Sequence, residues 1–171
     1  MHEKPCLCVT SPSEAFTRFL GAQLGHLVDP GAVLALRGEL GSGKTRFVQG
    51  LAQGLEVPAS EGVCSPSFAL IHEYVGGRLT LYHVDLYRLA AGVPDQELGL
   101  EEYFYSNGVC VIEWADRWLD WLPVKRLDVE FLVTGPRTRQ ISFRAWGQRY
   151  EELLDGLREA LKSHKKRKRR G

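Results

Sequence analysis

The sequence predicts a single α/β domain in which a mixed β-sheet is flanked by helices. Its 171 residues are 44% hydrophobic and 25% charged, close to the usual values for a globular protein with one sizeable core. Short apolar or alternating segments, typical of strands, alternate with segments that have helical periodicity. A glycine-rich loop joins one apolar run to one helical segment. These observations together predict one mixed sheet with helices packed against it.

The first third of the chain contains a strand, an amphipathic helix and the strand that precedes the glycine-rich loop. The first strand is predicted at residues 7–10, and Ser11 and Glu14 have capping-box spacing at the start of the helix. An apolar run at 32–36 predicts a buried strand, and residues 46–55 predict a helix after the loop. Within the first helix, apolar side chains recur at helical intervals, at Phe16, Phe19, Leu20 and Leu24.

The later elements continue the alternation of strands and helices. Two glycine-containing turns, Gly76-Gly77 and Gly135-Pro136, each separate a pair of predicted strands and indicate hairpins. Part of the sheet is therefore expected to be antiparallel. In chain order we predict strands at 68–75 and 78–85, a helix at 95–105, a buried strand at 109–112, strands at 127–134 and 139–146, and a helix at 150–161.

The glycine-rich loop has the residues of a phosphate-binding loop (P-loop) in a strand-loop-helix setting. Its sequence is Gly38-Glu39-Leu40-Gly41-Ser42-Gly43-Lys44-Thr45. The glycines let successive backbone N–H groups point at phosphate oxygens, with the positive end of the next helix behind them. Lys44 would reach the β and γ phosphates of ATP, and the Thr45 hydroxyl would ligate Mg²⁺. The alternative is an ordinary glycine-rich turn before a helix. The loop predicts a P-loop NTPase-like fold.

Two acidic residues end predicted strands and are candidates for the metal site. Glu113 follows the apolar run at 109–112 and is the better candidate for holding Mg²⁺. Asp85 ranks second as a metal ligand and first as a group that orients the attacking water. For each the alternative is a surface carboxylate. His83 lies on the same strand face as Asp85, where it either positions a water or partner or is a hydrogen-bonded structural histidine.

The segment at residues 61–68 precedes a strand and is interrupted by glycine and proline. Segments in this position respond to the γ-phosphate in nucleotide hydrolases. Ser65 and Ser67 supply hydroxyls that could contact phosphate, Mg²⁺ or water. The segment is therefore a candidate switch, with an ordinary turn fixed by Pro66 as the alternative.

Charge is unevenly distributed along the chain. The total is +1, but residues 165–170 are six consecutive cations, and the rest carries 16 basic and 21 acidic side chains, a net charge of −5. A cationic run repels itself and cannot pack a core. We therefore expect a P-loop ATPase domain at 1–162 and a disordered basic tail at 163–171. The tail either aids solubility or contacts the phosphate backbone of tRNA.

Hydropathy and cysteine spacing argue against a membrane or secreted protein and against a zinc or disulfide site. No apolar run approaches the roughly 18 residues of a membrane span, and the N-terminus lacks the apolar core of a signal peptide, so we expect a cytoplasmic protein without membrane contact. Cys6 and Cys8 form an isolated pair, and no second pair has metal-site spacing. The cysteines therefore favour neither zinc nor a disulfide.

Five segments carry a resemblance that covers residues 11–147. In order they are GELGSGKT at 38–45, SPSFALIHEY at 65–74, YHVDLYRL at 82–89, ELGLEEYF at 97–104 and GVCVIEW at 108–114. Together they closely resemble the TsaE family, bacterial ATPases of tRNA threonylcarbamoyladenosine synthesis. One departure is Ser67, where the family usually has threonine. Because serine keeps the hydroxyl, it should preserve a switch contact.

The resemblance implies roles for individual residues. Lys44 and the loop amides would bind ATP phosphates, Thr45 and Glu113 would hold Mg²⁺, and Asp85 would be a catalytic-site carboxylate. A late arginine of the family contacts nucleotide, and either Arg137 or Arg139 matches it. Other residues implied to lie near the nucleotide are Glu14, Thr17 and Trp114.

The resemblance also implies partners. Members of the family act on the TsaB–TsaD heterodimer, in which TsaD transfers the threonylcarbamoyl group to an adenosine beside the tRNA anticodon. ATP hydrolysis would reset that complex between turnovers without supplying the transferred group. tRNA would be met indirectly or through the basic tail. Two rival functions remain open: a small-molecule or nucleotide kinase, which would need an arginine-rich lid, and a non-hydrolytic nucleotide-binding adaptor.

Overall fold

A computed structural model describes residues 6–66, 69–89 and 99–171 of the chain. Within these residues, seven strands form one mixed sheet in the order β1-β7-β6-β2-β5-β4-β3. The predictions that involve Ser67, Phe68 and residues 90–98 lie outside the described residues. The strands are β1 (Cys6–Ser11), β2 (Val33–Gly38), β3 (Ile71–Tyr74), β4 (Leu81–Asp85), β5 (Val109–Glu113), β6 (Arg126–Val133) and β7 (Arg139–Trp146).

The centre of the sheet is parallel and both its ends are antiparallel. β2 pairs in parallel with β5 and β6, and β5 pairs in parallel with β4. The β3–β4 and β6–β7 pairs are the two predicted hairpins, and β1 adds antiparallel to β7. Since parallel strands end at the same edge of a sheet, β2, β4 and β5 bring Gly38, Asp85 and Glu113 to one edge.

Helices cover both faces of the sheet, as the alternation of side chains along β2 and β5 requires. One face packs against the long helices α1 (Glu14–Leu27), α2 (Lys44–Gly54) and α4 (Gln148–Arg170). The other face packs against the short helix α3 (Glu101–Phe104) and a 3₁₀ segment, Ala115–Trp121. Leu34 and Leu36 of β2 point to the first core, whereas Val33 and Ala35 point to the second. The predicted α/β class is confirmed.

Helices α1 and α2 pack closely because glycines line their interface. A Cβ atom added to Gly50 would lie 2.0 Å from the carbonyl oxygen of Arg18, and one added to Gly21 would lie 2.1 Å from that of Phe47. No side chain fits at these distances. This contact fixes the start of α1 relative to the phosphate loop that precedes α2.

The start of α1 corrects one expectation. Ser13, not Ser11, caps the helix: its hydroxyl accepts a hydrogen bond from the Phe16 amide at 3.2 Å. A capping residue must directly precede the helix in extended conformation, and Ser13 does so with φ −161° and ψ 162°. Ser11 is instead the last residue of β1, where its hydroxyl lies 2.8 Å from that of Thr17.

The C-terminal end of the chain corrects a second expectation. The closing helix was predicted at 150–161 with a disordered tail from residue 163, but α4 continues to Arg170. The ring of His164 packs 4.3 Å from that of Phe19, between centroids, and so anchors the helix beyond Leu161. Lysine and arginine are also good helix formers, and cations are favourable in a last turn. Among the described residues, no helix combines the length and the hydrophobicity that a membrane span requires.

Candidate functional site

A cavity of about 1000 Å³ opens at the edge where the parallel strands end. It is bordered by the phosphate loop, the start of α1, the ends of β4 and β5, and the turn between β6 and β7. The predicted site residues that line it are Glu14, Thr17, Leu40, Gly41, Ser42, Gly43, Lys44, Thr45, Asp85, Glu113, Trp114, Arg137 and Arg139. The two remaining residues, Gly38 and Glu39, contact Lys44 through their carbonyl groups.

The phosphate loop has the conformation that its glycines permit. Gly41 and Gly43 have φ angles of +76° and +105°, in the left-handed region that favours glycine. Gly43 is the capping residue of α2 and has no side chain to bond the first amides of the helix. The positive end of α2 therefore opens into the cavity. Backbone N–H groups at such an end are suited to bind an anion.

The ammonium group of Lys44 is held by the loop itself. Nζ donates to the carbonyl oxygens of Gly38 at 2.6 Å and Glu39 at 2.9 Å, and lies 4.1 Å from the centre of the Trp114 ring. Burial lowers the pKa of Lys44, while the nearby carboxylates of Glu113 and Asp85 act in the opposite direction. The side chain is thus a cation fixed beside the positive end of α2, where phosphate oxygens would bind.

Glu113 is the centre of a cluster of oxygen atoms. Its Oε1 accepts from Thr45 Oγ1 at 3.2 Å and from Ser65 Oγ at 3.5 Å, and the two hydroxyl oxygens lie 2.7 Å apart. The carboxylate is 2% exposed. Two hydroxyls and one carboxylate are the hard oxygen donors that Mg²⁺ prefers, with phosphate and water completing its coordination. The donor set therefore fits the predicted Mg²⁺ site.

His83 also contacts Glu113, which the sequence reasoning did not anticipate. Its Nε2 lies 2.8 Å from Glu113 Oε1, and the ring is fully buried. Nδ1 is buried and has no hydrogen-bond partner among the described residues. The alternation in β4 indicated only that His83 shares a face with Asp85. The partner was decided by the pairing of β4 with β5.

Asp85 lies opposite Glu113 in the register of β4 and β5. It is partly buried, and its Oδ1 accepts from the backbone N–H of Tyr87 at 2.9 Å. Burial raises the pKa of Asp85, the Glu113 carboxylate adds to this rise, and His83 and Lys44 oppose it. A half-buried carboxyl at the cavity wall has the position expected of a group that orients water.

Comparison with known proteins identifies the family. The model of the family "Threonylcarbamoyl adenosine biosynthesis protein TsaE" matches residues 11–141. The chain belongs to the TsaE family. It is 45% identical to the tRNA threonylcarbamoyladenosine biosynthesis protein TsaE of Bacillus subtilis over 82% of this chain and 87% of the relative. It is 41% identical to the TsaE protein of Treponema pallidum, over 79% and 97%.

A solved structure has the same fold. The crystal structure of Bacillus subtilis YdiB superposes with a TM-score of 0.78 and 36% identity, covering 94% of this chain and 99% of that one. The TsaE match spans the P-loop, β4, β5 and the start of β7, so it includes all the predicted site residues. Helix α4, with the six consecutive cations, lies outside the residues matched by the TsaE model.

Two aromatic residues of this TsaE-family chain form one wall of the cavity. The rings of Tyr87 and Trp114 lie 4.9 Å apart, and the Arg117 guanidinium lies 5.3 Å from the Trp114 ring centre. Trp114 has φ +60°, a left-handed conformation that is rare for a bulky residue. This conformation turns its ring from the end of β5 over Lys44. The resemblance implied that Trp114 lies near the nucleotide. Tyr87 belongs to the segment at 82–89 that carries the resemblance but was given no role, and Arg117 was not predicted as a site residue.

The late arginines have different positions. Arg139 donates to the carbonyl oxygens of Ser42 at 3.0 Å and Gly41 at 3.1 Å, so it braces the phosphate loop against β7. Arg137 is exposed, lines the cavity and makes no hydrogen bond or ion pair among the described residues. Of the two, Arg137 has the guanidinium available to a ligand.

The two predicted residues of α1 also have distinct contacts. Glu14 forms an ion pair with Arg46 at 3.1 Å across the cavity rim. Thr17 is buried and shares a hydrogen bond with Ser11. Its methyl group packs near Gly43, at 3.6 Å from the position of an added Cβ. Thr17 therefore supports the phosphate loop from the side of α1.

Proposed function

We propose that this TsaE-family protein binds ATP and Mg²⁺, hydrolyses ATP, and thereby supports turnover of a TsaB–TsaD complex in the synthesis of threonylcarbamoyladenosine in tRNA. The observation that carries the ATPase proposal is the 3.2 Å contact between Thr45 Oγ1 and Glu113 Oε1, beside the ammonium of Lys44. This contact joins the hydroxyl of a phosphate loop to the carboxylate at the end of an adjacent parallel strand. Such a pair holds Mg²⁺ in P-loop hydrolases.

The chemistry needs positioning and charge neutralisation more than covalent catalysis. The N–H groups at the start of α2 and the Lys44 ammonium bind the β and γ phosphates, which replace the loop carbonyls as partners of Nζ. Thr45 and Glu113 hold Mg²⁺, which when bound neutralises charge on the phosphate oxygens. Asp85 orients the attacking water. Arg139 keeps the loop in place, and Arg137 supplies a further cation at the cavity.

The segment that contains Ser65 is the candidate for coupling hydrolysis to a partner. Ser65 Oγ lies 2.7 Å from Thr45 Oγ1, so the segment contacts the proposed metal site directly. Loss of the γ-phosphate would change this contact, since in switch-type hydrolases the segments that contact the γ-phosphate and Mg²⁺ are released on hydrolysis. We therefore expect slow hydrolysis by the isolated protein and faster hydrolysis when a partner orders the segment.

The first experiment measures phosphate release from ATP by the protein alone, with TsaB–TsaD, and with nucleosides or small alcohols as phosphate acceptors. We expect slow Mg²⁺-dependent release that the pair accelerates and that acceptors leave unchanged. Transfer of the γ-phosphate to an acceptor would instead identify a kinase. ATP binding without release under any condition would identify a non-hydrolytic adaptor.

The second experiment tests the switch by co-elution with TsaB–TsaD in buffers with an ATP analogue, with ADP or without nucleotide. We expect retention to differ between the three buffers because Ser65 contacts the metal site. Equal retention in all three would exclude the switch and leave the ATPase proposal standing.

A further inference from the structure

The last turns of α4 form a surface whose charge no other part of the described structure neutralises. Residues 165–170 are all exposed cations, whereas α4 is anchored earlier by Tyr150, Leu153, Leu154 and Leu157. The last anchoring contact is the His164 ring, 4.3 Å from that of Phe19. The six side chains that follow have no packing role among the described residues. They are defined here as the basic end of α4.

Ion pairing along α4 changes abruptly before this basic end. Arg158 pairs with Asp155 at 2.6 Å, and Lys162 pairs with Glu159 at 2.7 Å, each with the acid three residues earlier. No acid follows Glu159 in the sequence, and none of residues 165–170 makes an ion pair within the described ranges. Beyond Lys162, the unpaired cations of α4 thus follow one another over the last six residues, about 1.7 turns.

Stabilisation of the helix does not account for six cations. A cation in the last turn interacts favourably with the helix dipole, but the effect is limited to that turn. Like charges three and four residues apart, such as Lys165 with Lys168 and Arg169, destabilise a helix. Repulsion among the cations of the basic end therefore destabilises the helix to which they belong. A bound polyanion would remove this repulsion.

The position of the basic end relates it to the cavity. Gly156 lies against Leu27 at the end of α1, and His164 lies against Phe16 and Phe19 near its start, so the two helices are antiparallel. Six further residues extend α4 by roughly 9 Å at the usual helical rise. This carries the cations along α1 toward Ser13 and Glu14, which border the cavity.

We propose that the basic end of α4 is a preformed binding surface for the phosphate backbone of RNA, placed beside the cavity mouth. The choice of tRNA as the RNA rests on the proposed function. Lys162, Lys165 and Arg169 follow one another at i, i+3 and i+7 and so form a row on one face of the helix. A bilayer is less suited as the partner, because residues 165–170 include no apolar side chain to enter it.

The test measures binding of an unmodified tRNA transcript to the isolated full-length protein across a salt series. It is compared with the variant K165Q/K166Q/R167Q/K168Q/R169Q/R170Q, since glutamine preserves helix propensity. We expect weaker binding by the variant. The slope of log affinity against log salt should flatten by up to about five, at roughly 0.7 to 0.9 per phosphate neutralised.

A pair of double variants provides the matched control. K165Q/R169Q removes two cations of the row, and K125Q/R144Q removes two exposed cations of the sheet region. We expect the first to flatten the slope by about one to two and the second to leave it nearly unchanged. Equal slopes for both double variants would mean that only total charge matters and would overturn the proposal.

Three further outcomes are decisive. Absence of tRNA binding by the full-length protein, or coincident curves for it and the sixfold variant, would overturn the proposal. Retention on vesicles containing about 30% phosphatidylserine without tRNA binding would assign the surface to a membrane instead. Phosphate release from ATP is measured on the same samples. If the full-length protein binds tRNA but does not hydrolyse ATP, that result would count against the proposed ATPase and not against the RNA surface.

Discussion

His83 Nε2 lies 2.8 Å from Glu113 Oε1, and both side chains are buried on one face of the neighbouring strands β4 and β5. A carboxylate oxygen only accepts hydrogen bonds, so His83 is the donor. Glu113 Oε1 also accepts from Thr45. The histidine therefore fixes the carboxylate that we assign to Mg²⁺, as the outer partners of metal ligands generally do.

Replacing His83 should alter the metal dependence of hydrolysis. His83→Ala is expected to lower turnover by about tenfold to a hundredfold and to raise the Mg²⁺ concentration needed for half-maximal rate. The glutamine amide can reach the position of Nε2, whereas that of asparagine reaches only the position of Nδ1. His83→Gln should therefore retain more activity than His83→Asn. If all three variants had the same Mg²⁺ titration curve as the parent protein, His83 would not position Glu113 for metal binding.

Lys44→Ala should abolish ATP hydrolysis and weaken nucleotide binding. The change removes the cation held beside the phosphate loop and replaces it with no other donor. Nucleotide binding is measured by calorimetry and turnover by phosphate release. Arg18→Ala, an exposed change on α1, is the control and should affect neither. Unchanged turnover in Lys44→Ala would falsify the nucleotide site.

Glu113→Ala should separate binding from turnover. Because the carboxylate organises the metal and not the purine, we expect nucleotide affinity within about tenfold of the parent but turnover lower by about a hundredfold or more. The comparison requires both measurements on one preparation. If affinity fell as far as turnover, Glu113 would act mainly in binding ATP.

Asp85→Asn should slow hydrolysis while increasing stability at neutral pH. Burial raises the pKa of Asp85, so the folded protein retains this proton to higher pH than the unfolded chain. Above the raised pKa, the ionised carboxyl lowers the free energy of unfolding, and asparagine removes that cost while its oxygen still accepts from Tyr87. Below the unfolded pKa of about 4, both states are protonated and the advantage disappears.

Urea unfolding of Asp85→Asn and the parent at pH 7 and pH 4 tests the sign of this difference in stability. The variant should have the higher midpoint at pH 7 and a smaller advantage at pH 4. A lower midpoint at pH 7 would show that the charge of Asp85 stabilises the fold. Full hydrolytic activity in this variant would remove Asp85 from the proposed mechanism.

Gly50→Ala should destabilise the protein, although Gly50 itself does not line the cavity. The added methyl group would lie 2.0 Å from the Arg18 carbonyl oxygen, so α1 and α2 would have to separate. Overpacking of this kind costs about 1–3 kcal/mol. Gln53→Ala, at an exposed position of the same helix, is the control and should be neutral or slightly stabilising. Equal melting temperatures for the two variants would mean that the helix pair adapts at little cost.

Local sequence predicted much of this protein because the relevant physics is local. The phosphate loop is specified by glycines at fixed positions between a strand and a helix, and the structure has that arrangement at 38–45. Two predicted strands end in acids, one an apolar run before Glu113 and the other a more polar segment before Asp85, and β4 and β5 are confirmed as such strands. Helix ends were less well predicted, because Ser11 and Ser13 both offer a capping hydroxyl and only the end of β1 selects between them.

Only the tertiary structure decided which of these residues meet. His83 is 30 positions from Glu113, and Arg139 is 97 from Ser42, so neither hydrogen bond follows from local spacing. Both arise from the order of strands in the sheet. The helical conformation of residues 163–170 was also decided by tertiary contacts. Sequence predicted repulsion among the cations and hence disorder, but His164 reaches Phe19 on α1, and that long-range contact extends the helix to the end of the basic segment.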